Sequence, residues 1–198
     1  DILLLSGAGA VNLASGTVSN IETLNFSNTS TGNQVTATVA QLGAFSTISG
    51  LGGSADALIL GDTGTVSFNA GVTSLSGMET ITGTAGADNL SHTAGANYTG
   101  VTLTAIDTVT IDSNDDEAAT LTVTGATLNG ADITGTGAND IVNTAAGNLD
   151  LSGSTLTEIA SITLTQGSSA VQQLTVESAT IAGRTVTGTD ANDTKKRR

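Results

Sequence analysis

The sequence predicts an all-β fold, a parallel β-solenoid (a β-helix or β-roll) built of about ten short coils. Three observations predict it: a composition nearly free of aromatic residues, a strand-like alternation of side chains, and internal repeats. The 198 residues include three Phe, one Tyr and no Trp. Aromatic side chains normally supply the largest buried areas of a core, so this fold needs a narrow interior. Hydrophobic residues make up 38% of the chain, which is too apolar for a disordered segment.

Apolar and polar residues alternate over short runs, as at 120–124 and 162–165. This period of two residues indicates strands. Gly and Asn interrupt the runs every few residues and supply the positive φ that tight corners need, so the strands are short. Thr and Val are abundant and apolar residues do not recur at helical spacing, so we expect helix content near nil.

Two long segments of the chain repeat each other. Residues 120–140 and 173–193 are identical at 12 of 21 positions. The end of this segment recurs as ITGTAGAD at 81–88 and, with more changes, as ISGLGGSAD at 48–56. Each copy ends in Asp. A fixed repeat of this kind is typical of solenoids, in which each unit stacks on its neighbours.

The repeated aspartates divide the chain into units. The units start at Asp1, Asp56, Asp88 and Asp140, and a fifth begins at Asp193. The spacings are 55, 32, 52 and 53 residues. The second unit is about 21 residues short, which indicates one missing coil, so we predict coils of roughly 18–21 residues and a rod about 50 Å long. A single solenoid is predicted over residues 1–194, followed by a basic tail at 195–198.

A second shared segment follows each unit start. It carries an apolar residue at one equivalent position, occupied by Ile21, Met78, Ile106 and Ile159. The next residue is acidic in three copies, Glu22, Glu79 and Asp107, and is Ala160 in the fourth.

The body of the chain is strongly acidic. Arg184 is the single cationic side chain of residues 1–194, against all eighteen acidic residues, which gives a formal charge of −17. Such a charge repels nucleic acid and attracts divalent cations. We therefore expect no nucleic-acid partner. No apolar run approaches the ~20 residues that span a bilayer, so we expect no membrane insertion.

The glycine- and aspartate-rich sequences at the ends of the units are candidate calcium-binding sites. GTAGADNL at 83–90 and GTGANDIV at 135–142 resemble the glycine- and aspartate-rich nonapeptide of RTX proteins, and LGGSADALI at 51–59 and GTDANDT at 188–194 are weaker copies. The resemblance implies a β-roll in which Asp carboxylates and turn carbonyls bind calcium between coils. The candidate ligands at the matching position are Asp56, Asp88, Asp140 and Asp193. The copies here are far apart rather than in tandem, so the alternative is an Asp that caps a turn.

A dense acidic cluster lies in DSNDDEA at 112–118. Carboxylate and amide oxygens are the ligands that calcium prefers, so Asp112, Asp115 and Asp116 are further candidate ligands. The loop has no Gly at a sharp turn. The alternative interpretation is a solvated corner between strands.

Catalysis is not expected. His92 is the single histidine, and no nucleophile and base arrangement accompanies it. A glycosidase would need facing acids and an aromatic sugar platform, and aromatic residues are scarce. Thr-x-Thr pairs recur, as at 102–104 and 120–124. Ranks of Thr can bind ice or another surface, although Thr is also simply favoured on exposed strands.

The long unit as a whole resembles repeats of bacterial surface-layer proteins and very large secreted adhesins that carry RTX motifs. The resemblance implies an extracellular or cell-surface location and a structural role as a self-assembling, calcium-stabilised segment. Its partners would be copies of itself or neighbouring repeats of a longer chain. The alternative function is a surface-binding module that uses a flat Thr-rich face for ice or glycan.

Overall fold

The computed structural model is a parallel β-solenoid of about seven turns, which confirms the predicted fold class. It describes residues 1–7, 9–27, 32–51, 55–68, 75, 77–112, 118–124, 127–128, 130–137, 139–165, 172–188 and 194–197. All the strand pairs within these residues are parallel.

The strands are short because corners interrupt them every few residues. In chain order the elements are β1 (Ile2–Leu5), β2 (Gly9–Asn12), β3 (Thr23–Phe26), β4 (Asn33–Ala37), α1 (Val39–Ala44), β5 (Thr47–Ser49), β6 (Ala57–Leu60), β7 (Thr65–Phe68), β8 (Thr80–Thr82), β9 (Asn89–His92), β10 (Ala96–Asn97), β11 (Thr102–Thr104), β12 (Thr108–Ile111), β13 (Thr120–Thr124), β14 (Asp132–Gly135), β15 (Asp140–Ala146), β16 (Leu149–Asp150), β17 (Leu156–Thr157), β18 (Ile159–Leu164), β19 (Gln173–Val176), β20 (Thr185–Gly188) and β21 (Thr194–Arg197).

The sheets form three sides, and most successive described strands pass from side 1 to side 2 to side 3 and back to side 1. Side 1 holds the sheets β1-β3-β5 and β10-β13-β15-β18-β20. Side 2 holds β2-β4-β6-β8-β11 and β16-β19-β21, and side 3 holds β7-β9-β12-β14-β17. The basic residues predicted as a tail lie largely in β21, which pairs with β19.

The turns are fewer than the sequence predicted, and most of them are longer. Paired residues of successive turns are separated by 19 residues between Asn89 and Thr108 and by 25 between Leu149 and Leu174. Each turn supplies up to three strands and three corners, and most turns take more residues than the 18–21 expected. About seven turns at 4.8 Å give a ladder about 34 Å long instead of about 50 Å.

The core is a set of aliphatic columns that run along the inside of each side. On side 3, for example, Val66, Leu90, Val109 and Ile133 stack in register and are fully buried. Leu121 and Val123 of side 1, and Leu174 and Val176 of side 2, are also buried, as the strand alternation predicted. Inward and outward residues alternate because successive side chains of a strand point to opposite faces.

Helix α1 replaces a strand on side 3 and packs against β7. Thr38 caps it: its Oγ1 accepts from the Gln41 N–H, and the Gln41 side chain accepts from the Thr38 N–H. Gln41 Nε2 also donates to the carbonyls of Leu13 and Gly16 in the preceding turn. In the described part of the chain, no helix is long and apolar enough to cross a membrane.

Candidate functional site

Three of the repeated aspartates lie buried at corners of the solenoid. Asp56, Asp88 and Asp140 are at most 1% exposed. Each lies at the start of a strand, immediately before β6, immediately before β9, or as the first residue of β15. A buried carboxylate is costly unless it is hydrogen-bonded, so its partners define the role of each corner.

One carboxylate oxygen of each aspartate closes its own corner. Asp88 Oδ2 accepts from the Thr84 N–H at 2.6 Å and from Thr84 Oγ1 at 2.8 Å. Asp140 Oδ2 accepts from the Thr136 N–H at 2.9 Å. Asp56 Oδ2 accepts from the Leu51 N–H at 2.8 Å. The aspartate therefore caps a turn that begins four or five residues earlier.

The other oxygen of each aspartate reaches the preceding turn of the solenoid. The N–H groups of Asn33, Gly64 and Ala119 donate to Oδ1 of Asp56, Asp88 and Asp140 at 2.8, 2.9 and 2.8 Å. Hydrogen bonds to a charged acceptor each contribute about 1.5–3 kcal/mol. Each carboxylate thus fixes the register of two successive turns.

The acidic residues of the second shared segment complete the corner from the following turn. The backbone N–H of Asp56 donates to Glu79 Oε2 at 2.7 Å, and that of Asp88 donates to Asp107 Oδ2 at 2.8 Å. At the chain start, the Asp1 amino group contacts Glu22 in the same way. In the fourth unit, where Ala160 replaces the acid, the ladder between β15 and β18 carries a register irregularity next to Asp140.

At each corner, a residue with left-handed backbone conformation in one turn lies against a glycine of the preceding turn. This pair allows the two backbones to come into contact. Asn20, Gly77, Ala105 and Glu158 directly precede the equivalent apolar residues and have φ between 51° and 69°. The carbonyl oxygens of the last three face Gly50, Gly83 and Gly135 of the preceding turn. A Cβ on Gly83 would lie 1.9 Å from the Ala105 oxygen, and one on Gly50 would lie 2.1 Å from the Gly77 oxygen. Glycine is required there because the backbones touch.

We refer to the glycine, the aspartate, the left-handed residue and the acid together as the corner motif. The motifs of Asp56 and Asp88 connect three consecutive turns through the aspartate carboxylate and the aspartate N–H, and the motif of Asp140 connects two turns through its carboxylate. The sequence showed the aspartates and the acids as equivalent positions, but not their contact. No pattern in the sequence predicts the left-handed conformation of Asn20, Ala105 and Glu158.

The corner motif moves around the solenoid by one side per unit. Asp1 precedes side 1, Asp56 side 2 and Asp88 side 3, and Asp140 returns to side 1. Each of the three complete units therefore covers a whole number of turns and one further side. The short unit from Asp56 to Asp88 advances by one turn plus one side, and the units that start at Asp1 and Asp88 advance by two turns plus one side.

The chemistry of the three buried corners is that of a turn cap, the alternative that the sequence left open. N–H groups point at both carboxylate oxygens, whereas calcium needs those lone pairs and further oxygen ligands. Among the described residues, no group of three or more Asp, Glu or His side chains could hold a metal ion. Calcium binding at Asp56, Asp88 and Asp140 stays a prediction.

The remaining candidate ligands are in the acidic segment 112–118 and near the end of the chain. Asp112 is exposed, and its Oδ1 accepts from Thr136 Oγ1 at 2.6 Å. Asp115, Asp116 and Asp193 lie outside the described residues.

A row of hydroxyl groups follows the outward face of side 3. Paired positions on five successive strands are all Ser or Thr: Ser67, Ser91, Thr110, Thr134 and Thr157. Neighbouring strands are about 4.8 Å apart, so the hydroxyl groups recur at that spacing. Alternate positions of the same strands are also polar, and Thr110 Oγ1 donates to Asn89 Oδ1 at 3.2 Å.

A cavity of about 390 Å³ lies beside the corner between β16 and β17. Ser154, Glu177, Thr180 and Arg184 are among its lining residues. The Arg184 guanidinium donates to the carbonyls of Thr180, at 2.6 Å, and Leu156. It thus supplies donors next to β17, the last strand of the side 3 sheet in the described part of the chain.

No protein-family model, no curated protein and no solved structure matches this chain. The functional interpretation therefore depends on the residues of the chain itself.

Proposed function

We propose that the chain is a structural segment: a self-assembling β-solenoid of a bacterial surface layer, filament or giant adhesin outside the cell. The observation that carries the proposal is the corner motif, which joins two or three successive turns at each of the three sides. The buried aspartates, a residue type that a catalyst would use, are hydrogen-bonded here and maintain the register between turns. A solenoid whose turns contact only their neighbours suits a role that requires length and stiffness.

Assembly of so acidic a body requires neutralisation of charge. Residues 1–194 carry a formal charge of −17, and like-charged molecules repel one another at short range. We propose that calcium acts between solenoids, on exposed carboxylates, rather than inside the buried corners. The resemblance to calcium-dependent surface repeats supports this role.

Light scattering and negative-stain imaging test the proposal, first with calcium and then with a chelator. We expect ordered assemblies with calcium that dissolve in chelator, while the far-ultraviolet circular dichroism stays unchanged. Sodium chloride at equal ionic strength is the control, because it screens charge without bridging carboxylates. A monomer under all three conditions would contradict self-assembly.

The hydroxyl row of side 3 favours a second candidate function, the binding of ice or glycan. Regularly spaced hydroxyl and methyl groups match an ordered surface better than scattered ones do. We expect Thr110→Lys with Thr134→Lys to abolish such binding, and Thr122→Lys with Thr163→Lys, on the outward face of side 1, to leave it intact. Ice recrystallisation and glycan-array assays measure the two cases. Equal loss with both pairs would rule out a specific face.

A further inference from the structure

Five β-turns in the described part of the chain share one form. In each, a glycine with φ between 69° and 86° comes third, and the fourth residue donates its N–H to the carbonyl of the first. The fourth residues are Met78, Val101, Ala131, Ser154 and Arg184. The first three are apolar and at most 2% exposed. The last two turns therefore place polar side chains where the other copies bury apolar ones.

The repeated segments show the same departure. When residues 120–140 are aligned with 173–193, Arg184 takes the place of Ala131. Arg184 is also the single cationic side chain of residues 1–194. Ser154 is 4% exposed, although serine is a polar residue. A repeat that departs from its own apolar pattern is expected to do so mainly at functional sites.

Ser154 and Arg184 line the same cavity, the one of about 390 Å³ beside the corner between β16 and β17. One turn of the solenoid contributes residues 153–156, and the next contributes Glu177, Ala179, Thr180 and Arg184. Pockets that bind small molecules have volumes of roughly 300–1,000 Å³. A single water takes up about 30 Å³. The cavity therefore has room for a small organic molecule.

Two buried polar atoms of this cavity's lining residues have no hydrogen-bond partner among the described residues, Ser154 Oγ and Arg184 Nε. The terminal nitrogens of the Arg184 guanidinium donate to the carbonyls of Thr180, Ala182 and Leu156. Buried polar groups nearly always have a partner. Two such atoms on neighbouring turns of one cavity indicate a ligand that supplies the missing hydrogen bonds.

We propose that this cavity binds a neutral sugar unit through Arg184, Ser154 and Glu177. The arginine N–H can only donate, the glutamate carboxylate can only accept, and the serine hydroxyl does both. Adjacent sugar hydroxyl groups also donate and accept, so they satisfy all three side chains. A carboxylate ligand would match Arg184, but it would be repelled by Glu177 and by a body of formal charge −17. The site is separate from the hydroxyl row of side 3 and does not depend on self-assembly.

Nuclear magnetic resonance titration of the isotope-labelled chain with glucose, galactose and mannose tests the site. We expect at least one of these sugars to shift the amide resonances of residues 153–156 and 177–184, and the matching uronate to bind more weakly. No shift at about 50 mM, where a site with a Kd near 1 mM is saturated, would overturn the proposal. Shifts confined to the hydroxyl row, or tighter binding of the uronate, would also overturn it.

Two variants restore the apolar pattern of the other turns. Arg184→Ala introduces the residue of the equivalent turn, and we expect the affinity to fall about tenfold or more because a charged donor is lost. Ser154→Ala should lower the affinity roughly threefold to tenfold without lowering the unfolding free energy, since its hydroxyl has no partner to lose. Thr122→Ala, on the outward face of side 1, is the control and should bind as the wild type does.

Ser154→Ala decides the matter even where Arg184→Ala does not fold. Wild-type affinity in the folded Ser154 variant would overturn the proposal. Equal loss of affinity in the Thr122 variant would overturn it as well.

Discussion

At the scale of single residues, the buried aspartates carry the most specific role in the molecule. Each one joins its own corner to the preceding turn through the carboxylate. Asp56 and Asp88 also reach the following turn through the backbone N–H. This role explains why an acidic residue recurs at the unit ends of a chain that already has an excess of negative charge. A neutral residue could not accept from so many N–H groups at once.

Asp88→Asn tests this role. The amide replaces one accepting oxygen by an NH₂ group that faces an N–H donor, so we expect a loss of about 2–4 kcal/mol in unfolding free energy. Because the loss is one of hydrogen bonds, it should be the same with calcium and with chelator. Urea unfolding under both conditions measures it. Glu177→Gln, at an exposed site, is the matched control and should change stability by less than about 0.5 kcal/mol.

If the loss for Asp88→Asn appeared only with calcium present, the carboxylate would be a metal ligand rather than a turn cap. This outcome would restore the calcium interpretation suggested by the RTX-like pattern.

At the scale of elements, the close contact between corner and neighbouring turn depends on glycine. We expect Gly83→Ala to cost about 3 kcal/mol or more, because its Cβ would lie 1.9 Å from the Ala105 carbonyl oxygen, and backbone cannot move aside without breaking the ladder. Gly16→Ala is the control, since its Cβ would meet no atom nearer than 3.6 Å. Thermal unfolding followed by circular dichroism compares them. Equal midpoints would show that the corner can open.

The strand register has its own test in neighbouring residues of β13. Leu121 is fully buried, whereas Thr122 lies on the outward face. Leu121→Asp would place a charge in a narrow apolar column, so we expect loss of the folded state or a cost of several kcal/mol. Thr122→Asp should be nearly neutral. Wild-type melting of the Leu121 variant would contradict the register.

Strands and core positions could be predicted because the period of two residues is visible within the short runs that form strands. The number of turns could not, because corner lengths vary and the paired residues of successive turns are 19 to 25 residues apart, a range that the 21-residue deficit of one unit does not reveal. Helix α1 was missed, although Thr38 and Gln41 have the spacing of a capping box. The corner contacts were missed because they join residues about 20 positions apart. Such contacts can be predicted only when the exact length of each turn is known.

At the scale of the whole molecule, the repeat unit and the turn are different lengths. A unit of about 53 residues covers two turns and one side, so successive corner motifs rotate around the rod instead of forming one line. This arrangement distributes the register contacts over all three sides. It also places the buried carboxylates of Asp56, Asp88 and Asp140 on different sides of the rod.

Repulsion between the negative charges on the surface lowers the stability of the fold. We expect salt to screen this repulsion and raise the stability. The acidic body has one cationic side chain to offset eighteen acids, so folding concentrates negative charge that the extended chain keeps apart. Raising sodium chloride from about 0.02 to 0.3 M shortens the screening length from roughly 20 Å to below 8 Å. We expect the melting midpoint of the monomer to rise by several degrees, and magnesium at equal ionic strength to act similarly. A midpoint that ignores sodium but rises with calcium alone would instead place a specific ion in the fold, and the acidic loop that begins at Asp112 would be the first place to look for it.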